Sequence, residues 1–189
     1  MTELPRIVLA SGSPRRKEIL TRLGYHFSVH PSDCPEDDIA GDVAYIVKTL
    51  AERKGFSVAP LEKGALIISC DTLVALDGSA LGKPKDADDA KRMLRSLSGK
   101  THEVLSGICL IDTVTGRHIS DTVHTRVVFR NLSDAEIDRY VATGEPMDKA
   151  GAYAIQGGAA AFVSEYIGSF DNIVGFPAER FSEMLKELY

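Results

Sequence analysis

Arg15 and Arg16 stand side by side in LASGSPRRKEIL, at the second and third positions of a stretch that reads as a helix. A helix start carries positive dipole charge, so each cation there costs about 0.3 to 1 kcal/mol, too little to exclude a merely solvated pair. Their company suggests more. Backbone amides at a helix start, Ser11 and Ser13, Gly12 permitting close approach and the two guanidiniums together make a cradle for phosphate oxygens. Two lysines are candidates for the same anion. Lys54 falls on an otherwise apolar helix stripe, where an ammonium must snorkel, pair or face a ligand, while Lys83 in LGKPKD is equally a solvated loop charge. Candidate carboxylates are Asp71 after the apolar run Ala65 to Ser69, Glu36 in SDCPEDD and Asp148 in EPMDKAG. Magnesium bound with phosphate takes one or two carboxylates plus substrate oxygens and waters, which leaves the choice among them open.

Other chemistries are excluded by spacing. LRSLSGKT ends like a P-loop but has Leu94 where the first glycine belongs, and it follows a helix rather than a strand. His102-Glu103 lacks the second histidine of a zinc helix, and a structural role suits His102 better. No serine sits in a GxSxG elbow. Cys34, Cys70 and Cys109 have neither CxxC spacing nor paired histidines, so buried or idle thiols are expected. With 22 Lys plus Arg against 27 Asp plus Glu, the formal charge of -5 argues against nucleic acid as a partner and obliges any anionic ligand to find a local basic site.

The elements that must position these residues are legible from periodicity. Arg6 to Ala10 reads as a strand; Ser13 is the natural N-cap of the helix that follows, Pro14 its first residue, and Gly24 its end. Tyr25 to His30 returns as a strand. From Asp42, the residues Val43, Ile46, Val47, Leu50 and Ala51 repeat at helical spacing, with Lys54 continuing the stripe. Ala65 to Ser69 and Thr72 to Leu76 read as two strands with Asp71 at the break, and Asp77-Gly78 as the turn of a hairpin. A helix through Ala90, Met93, Leu94 and Leu97 precedes a long hairpin, His102 to Asp112 and His118 to Phe129, and Ser133 with Glu136 forms a capping box. EPMDKAGAYAIQGGAAAF is too glycine-rich for a helix; loops of this kind usually bind something. After a strand near Phe162 to Ile167, Pro177 opens a terminal helix. Helices interleaved with strands and a hairpin give an α/β class with a mixed sheet. The 189 residues, 44% apolar and 26% charged, fit one domain or two lobes sharing a sheet. Apolar runs are too short to span a bilayer, and Met1 to Arg6 is no secretory signal, so a cytoplasmic protein without a membrane partner is expected.

LASGSPRRKEIL, CDTLV, LGKPKDADDAKRML, LSGKTHEV, GEPMDKAGAYAIQG and NIVGFPAE, in that order along nearly the whole chain, resemble the Maf family. The resemblance implies a single Maf-like domain over residues 1–189, with an elongated mixed sheet flanked by helices in two lobes around a central active-site cleft. That fold is similar to inosine triphosphate pyrophosphatases. It implies a nucleoside triphosphate pyrophosphatase, a divalent cation (Mg2+, or Mn2+ in its place) and a homodimer. EPMDKAGAYAIQG is similar to the branch acting on dTTP and UTP. By the same resemblance Asp71 is the proton acceptor and, with Glu36, a metal ligand; Arg15, Thr72 and Gln156 govern substrate choice; Lys54 and Lys83 are site lysines; Ser13 and Arg16 belong to the phosphate loop. The alternatives are a nucleotide-binding regulator of cell division without important turnover and a pyrophosphatase for another nucleotide such as 7-methyl-GTP.

Overall fold

A computed structural model describes residues 4–189. In chain order the strands are β1 (Arg6–Leu9), β2 (Phe27–Val29), β3 (Ala65–Leu76), β4 (Ser79–Leu81), β5 (Thr101–Asp112), β6 (His118–Phe129) and β7 (Val163–Ile167). The helices are α1 (Pro14–Arg22), α2 (Val43–Val58), α3 (Ala87–Leu97), α4 (Asp134–Ala142), α5 (Phe170–Val174) and α6 (Ala178–Leu188). The strands form one mixed sheet in the order β2-β1-β3-β5-β6-β7, with β4 paired to β3. β1 runs parallel to β2 and β3, whereas β3 with β4 and β6 with β7 are antiparallel. The expected α/β class with a mixed sheet is therefore present.

Two compact units divide the chain. The first comprises residues up to Asp71, Ser106–Val123 and Gly175–Tyr189. In its core, Ala51 and Val58 of α2 pack with Val8, Ala65, Ile67, Cys109 and Ile111 of the sheet. Small residues set the approach of α2: a Cβ on Gly107 of β5 would lie 2.0 Å from the Val47 carbonyl oxygen, and one on Gly55 would lie 2.6 Å from Ser69 Oγ. The second unit comprises Thr72–Leu105 and His124–Val174. Ala90, Met93, Leu94 and Leu97 of α3 are buried there, beside an edge-to-face aromatic cluster of His102, Phe129, Tyr153, Phe162 and Tyr140.

Three local expectations need correction. The break at Asp71 does not exist, because Ala65–Leu76 is one continuous strand. Along it, β1 pairs with residues 65–68 and β4 with 74–76, so Asp71 and Thr72 fall between those registers inside a strand that continues regardless. The Asp71 carboxylate mimics a turn former because it serves a side-chain partner, Lys54, instead. Ser13 occupies the N-cap position of α1 but makes no side-chain cap bond. Pro177 stands at the N-cap of α6, one residue before its first turn. Two features were not foreseen: the short α5, and the folding of the glycine-rich stretch into the 3-10 turns Glu145–Asp148, Ala150–Ala152 and Gly158–Phe162. Among the described residues, no helix is long and apolar enough to cross a membrane.

Candidate active site

Lys54 is where two sequence-predicted carboxylates of the first unit, Asp71 and Glu36, meet. Asp42 caps α2 by accepting the Tyr45 amide at 2.8 Å, and the apolar face of the helix docks on the sheet, so Lys54 three turns later is carried down toward β3. Its Nζ donates to Asp71 Oδ1 at 2.6 Å and pairs with Glu36 Oε1 at 2.9 Å. The Lys54 and Asp71 side chains are only 12% and 11% exposed, so water screens their attraction weakly. Burial works against the ammonium, but the charge and hydrogen bond of Asp71, with Glu36, outweigh it and hold the lysine above its ordinary pKa. Of the fates open to Lys54, pairing is the one realised. Glu36 comes from an irregular segment laid along α2: Arg53 Nη1 donates to Pro35 O at 2.9 Å and to Asp38 Oδ1 at 2.7 Å, and the Ser32 and Ser57 hydroxyls share a bond of 2.9 Å.

The start of α1 is fixed to the same unit. The register Leu9 to Ile68 and a bond from Ala10 N–H to Ile68 O at 2.8 Å bring the end of β1 beside the stretch of β3 that leads to Asp71. There Arg16 Nε donates to Gly175 O at 2.9 Å and Nη1 to Ser11 Oγ at 3.0 Å, while Cys70 Sγ donates to the same Gly175 carbonyl at 3.6 Å. The Ser13 amide donates to Ser11 Oγ at 3.3 Å. Arg15 and Arg16 are half-buried, and no acidic side chain occupies the first turn, so the positive charge is not cancelled within it. Ser11 was expected in the cradle from sequence, whereas Cys70 and Gly175 were not singled out as partners of the site. The available signal was NIVGFPAE, which contains Gly175 but no side chain with chemistry of its own.

The second unit holds the remaining candidates. Thr72 adjoins Asp71 in β3, half-buried and, by strand alternation, on the opposite face. Lys83 and Gln156 are exposed, and their segments are tied where Gly151 N–H donates to Gly82 O at 3.0 Å. Gln156 sits at the third position of a turn closed by Gly157 N–H to Ala154 O at 3.0 Å. Asp148 pairs with Lys149. His102 is structural as expected: it is 2% exposed, its Nε2 is 2.7 Å from the Tyr153 hydroxyl, and burial lowers its pKa to about 4. Cys70 and Cys109 are buried thiols, Cys34 half-buried, and none forms a disulfide.

Among the described residues, no three His, Cys, Asp or Glu side chains are placed to hold a metal by themselves. Asp71 and Glu36 nevertheless converge on one cation, the Lys54 ammonium. Two carboxylates converging on one cation are the kind of donor set that Mg2+ bound together with a phosphate takes, rather than a closed protein cage.

The sequence profile of the family described as Maf-like protein matches residues 6–188. A protein of Anaeromyxobacter dehalogenans (strain 2CP-1) named dTTP/UTP pyrophosphatase is 47% identical over 186 residues, covering 96% of this chain and 93% of its own. Proteins of the same name from Alkaliphilus metalliredigens and Geobacter metallireducens are 48% and 49% identical, covering 96% and 94% of this chain and 95% and 93% of their own. Among solved structures, the Ham1 protein of Staphylococcus aureus is similar with a TM-score of 0.49 and 16% identity, covering 97% of this chain and 100% of that one. Matched from its first strand to the end of its last helix, the chain belongs to the Maf family.

Proposed function

We propose that this protein is a nucleoside triphosphate pyrophosphatase that hydrolyses dTTP and UTP to the nucleoside monophosphate and pyrophosphate. The observation that carries the reading is the buried contact of Lys54 with Asp71, with Glu36 on the same ammonium. Asp71 Oδ1 is held by the lysine, so its orientation is fixed and Oδ2 is the oxygen that orients and deprotonates a water attacking the α-phosphorus. Arg15, Arg16 and Ser13 at the start of α1, with Lys54 and Lys83, supply the positive charge that a triphosphate requires from a chain of net charge -5. That charge also stabilises the pyrophosphate leaving group as negative charge grows on it. Asp71 and Glu36 would hold Mg2+, or Mn2+ in its place. Bound there, the ion would neutralise phosphate charge and polarise the phosphorus centre.

Base choice is assigned to Gln156, with Arg15 as a further contact to substrate; Thr72, next to Asp71 in β3 but on the other face, would act on substrate choice only through the strand. The exposed Gln156 amide offers one acceptor and one donor. Uracil and thymine present a ring N–H beside a carbonyl, which matches it; cytosine lacks that ring donor and reverses the neighbouring group. An unmatched amide costs about 1 to 3 kcal/mol, which is the discrimination expected against CTP. The names carried by the relatives support the same choice of substrates. The test is a panel of UTP, dTTP, CTP, ATP, GTP and 7-methyl-GTP incubated with Mg2+, with pyrophosphate and orthophosphate measured separately. Pyrophosphate from UTP and dTTP in clear excess over CTP is expected. A preference for 7-methyl-GTP would overturn the substrate assignment, and binding without any pyrophosphate would favour a nucleotide-binding regulator.

A further inference from the structure

Gln156 is exposed at the tip of its turn, yet the backbone on both sides is anchored to one pair of side chains. The Tyr140 hydroxyl, on α4, donates to Glu145 Oε1 at 2.9 Å and accepts the Ala154 N–H at 3.1 Å. The other carboxylate oxygen, Glu145 Oε2, accepts the Gly158 N–H at 3.2 Å. Ala154 and Gly158 lie two residues before and two after Gln156, so the turn is clamped symmetrically about the side chain that reads the base. The glycines make this approach possible. A Cβ on Gly157 would fall 2.0 Å from Glu145 Oε1, and one on Gly158 would fall 3.1 Å from the Tyr140 ring.

The clamp is itself held. Tyr140 is 5% exposed, and its ring meets Phe162 edge-to-face at 5.2 Å, which fixes where the hydroxyl points. Burial raises the phenol's pKa, and the neighbouring Glu145 carboxylate adds to this against the Ala154 amide, so the hydroxyl keeps its proton and remains a donor to Glu145. Before the turn, the backbone is constrained at two successive left-handed residues, Gly151 at φ +69° and Ala152 at φ +59°. A non-glycine residue with positive φ persists only where its surroundings impose it. Selectivity by an amide needs this kind of support, because an exposed glutamine on an unrestrained turn could rotate its donor and acceptor to suit cytosine as readily as uracil.

We propose that Tyr140 and Glu145 are positioning residues for base selectivity, holding the Ala154–Gly158 turn so that Gln156 presents one fixed orientation to the base. The proposal rests on the assignment of Gln156 as the reader, and its test separates the two. Tyr140→Phe keeps the ring packing and removes the hydroxyl that links Glu145 to Ala154. Glu145→Gln keeps the shape but loses one of the two acceptors. Each should lower the ratio of kcat/KM for UTP over CTP roughly threefold to tenfold, the value of one hydrogen bond expressed as a rate ratio. The double variant Tyr140→Phe/Gln156→Glu should show no further fall beyond Gln156→Glu alone, because both act through one amide. General damage to the fold would lower both substrates equally and leave the ratio unchanged. If Gln156→Glu collapses the ratio while neither clamp variant moves it, the positioning role is wrong and the reader stands. If Gln156→Glu leaves the ratio unchanged, the reader is wrong, and the clamp as proposed falls with it.

Discussion

An ammonium taken out of water costs several kcal/mol unless carboxylates receive it, and Lys54 is kept at 12% exposure because Asp71 and Glu36 both do. Asp71→Asn should therefore separate chemistry from architecture. The amide cannot take a proton from water, so turnover should fall roughly 100-fold or more. Lys54 retains Glu36 and the Asn amide oxygen can still accept from it, so the fold should survive with a lowered urea midpoint, and triphosphate binding, read by calorimetry without turnover, should persist. Near-normal turnover in this variant would remove Asp71 as the base. His102 supports a prediction of a different kind. Burial lowers its pKa from an ordinary 6.5 to about 4, so the unfolded chain takes up this proton before the folded one does. Its contribution to stability is complete above pH 6.5 and is lost as pH falls toward 4, by on the order of 3 kcal/mol. Urea titrations at pH 7 and pH 4.5 should show this loss in the parent and a smaller one in His102→Phe; equal losses would contradict it. The two residues differ in legibility. A histidine without metal spacing reads as structural from sequence, whereas Lys54 left three fates open because its partners lie 17 and 18 positions away.

At the scale of elements, α2 is the part that brings its lysine to the strand, and its spacing of apolar residues predicts it from sequence. The closeness of its approach was not legible. LSGICL reads as an ordinary strand, and only the contact between Gly107 and the Val47 carbonyl shows that a side chain there must push helix from sheet. Gly107→Ala forces a methyl into a space of 2.0 Å against backbone, which should cost roughly 1 to 3 kcal/mol, more if the strand cannot yield. Because α2 carries Lys54, kcat should fall as well, even where the variant is fully folded. A stable variant with parental kcat would show that this packing does not set the site. The missed continuity of β3 has a related origin. Asp71 is a poor strand former by composition, and its partner on α2 is invisible to local pattern. The opposite case is the capping box of Ser133 and Glu136, complete within one turn and therefore fully legible.

Across the whole molecule, the alternation of helices and strands fixed the α/β class, and motifs spread from LASGSPRRKEIL to NIVGFPAE pointed to the family that the full-length match establishes. A chain of net charge -5 that handles a polyanion must concentrate its positive charge, and in the proposed function that task falls to the cations at the start of α1 and to the site lysines. What stayed hidden was backbone chemistry: the Gly175 carbonyl that receives Arg16, and the amides around Gln156 that Tyr140 and Glu145 receive. Carbonyls and amides have no letter in a sequence. The central claim is that water, oriented by Asp71, attacks the α-phosphorus of UTP or dTTP and expels pyrophosphate. It is tested most directly by running one round of UTP hydrolysis with Mg2+ in water labelled with heavy oxygen and locating the label by phosphorus NMR. Label in UMP, with unlabelled pyrophosphate as the co-product, is the predicted result; label in pyrophosphate or in orthophosphate would place the attack on another phosphorus and contradict the account.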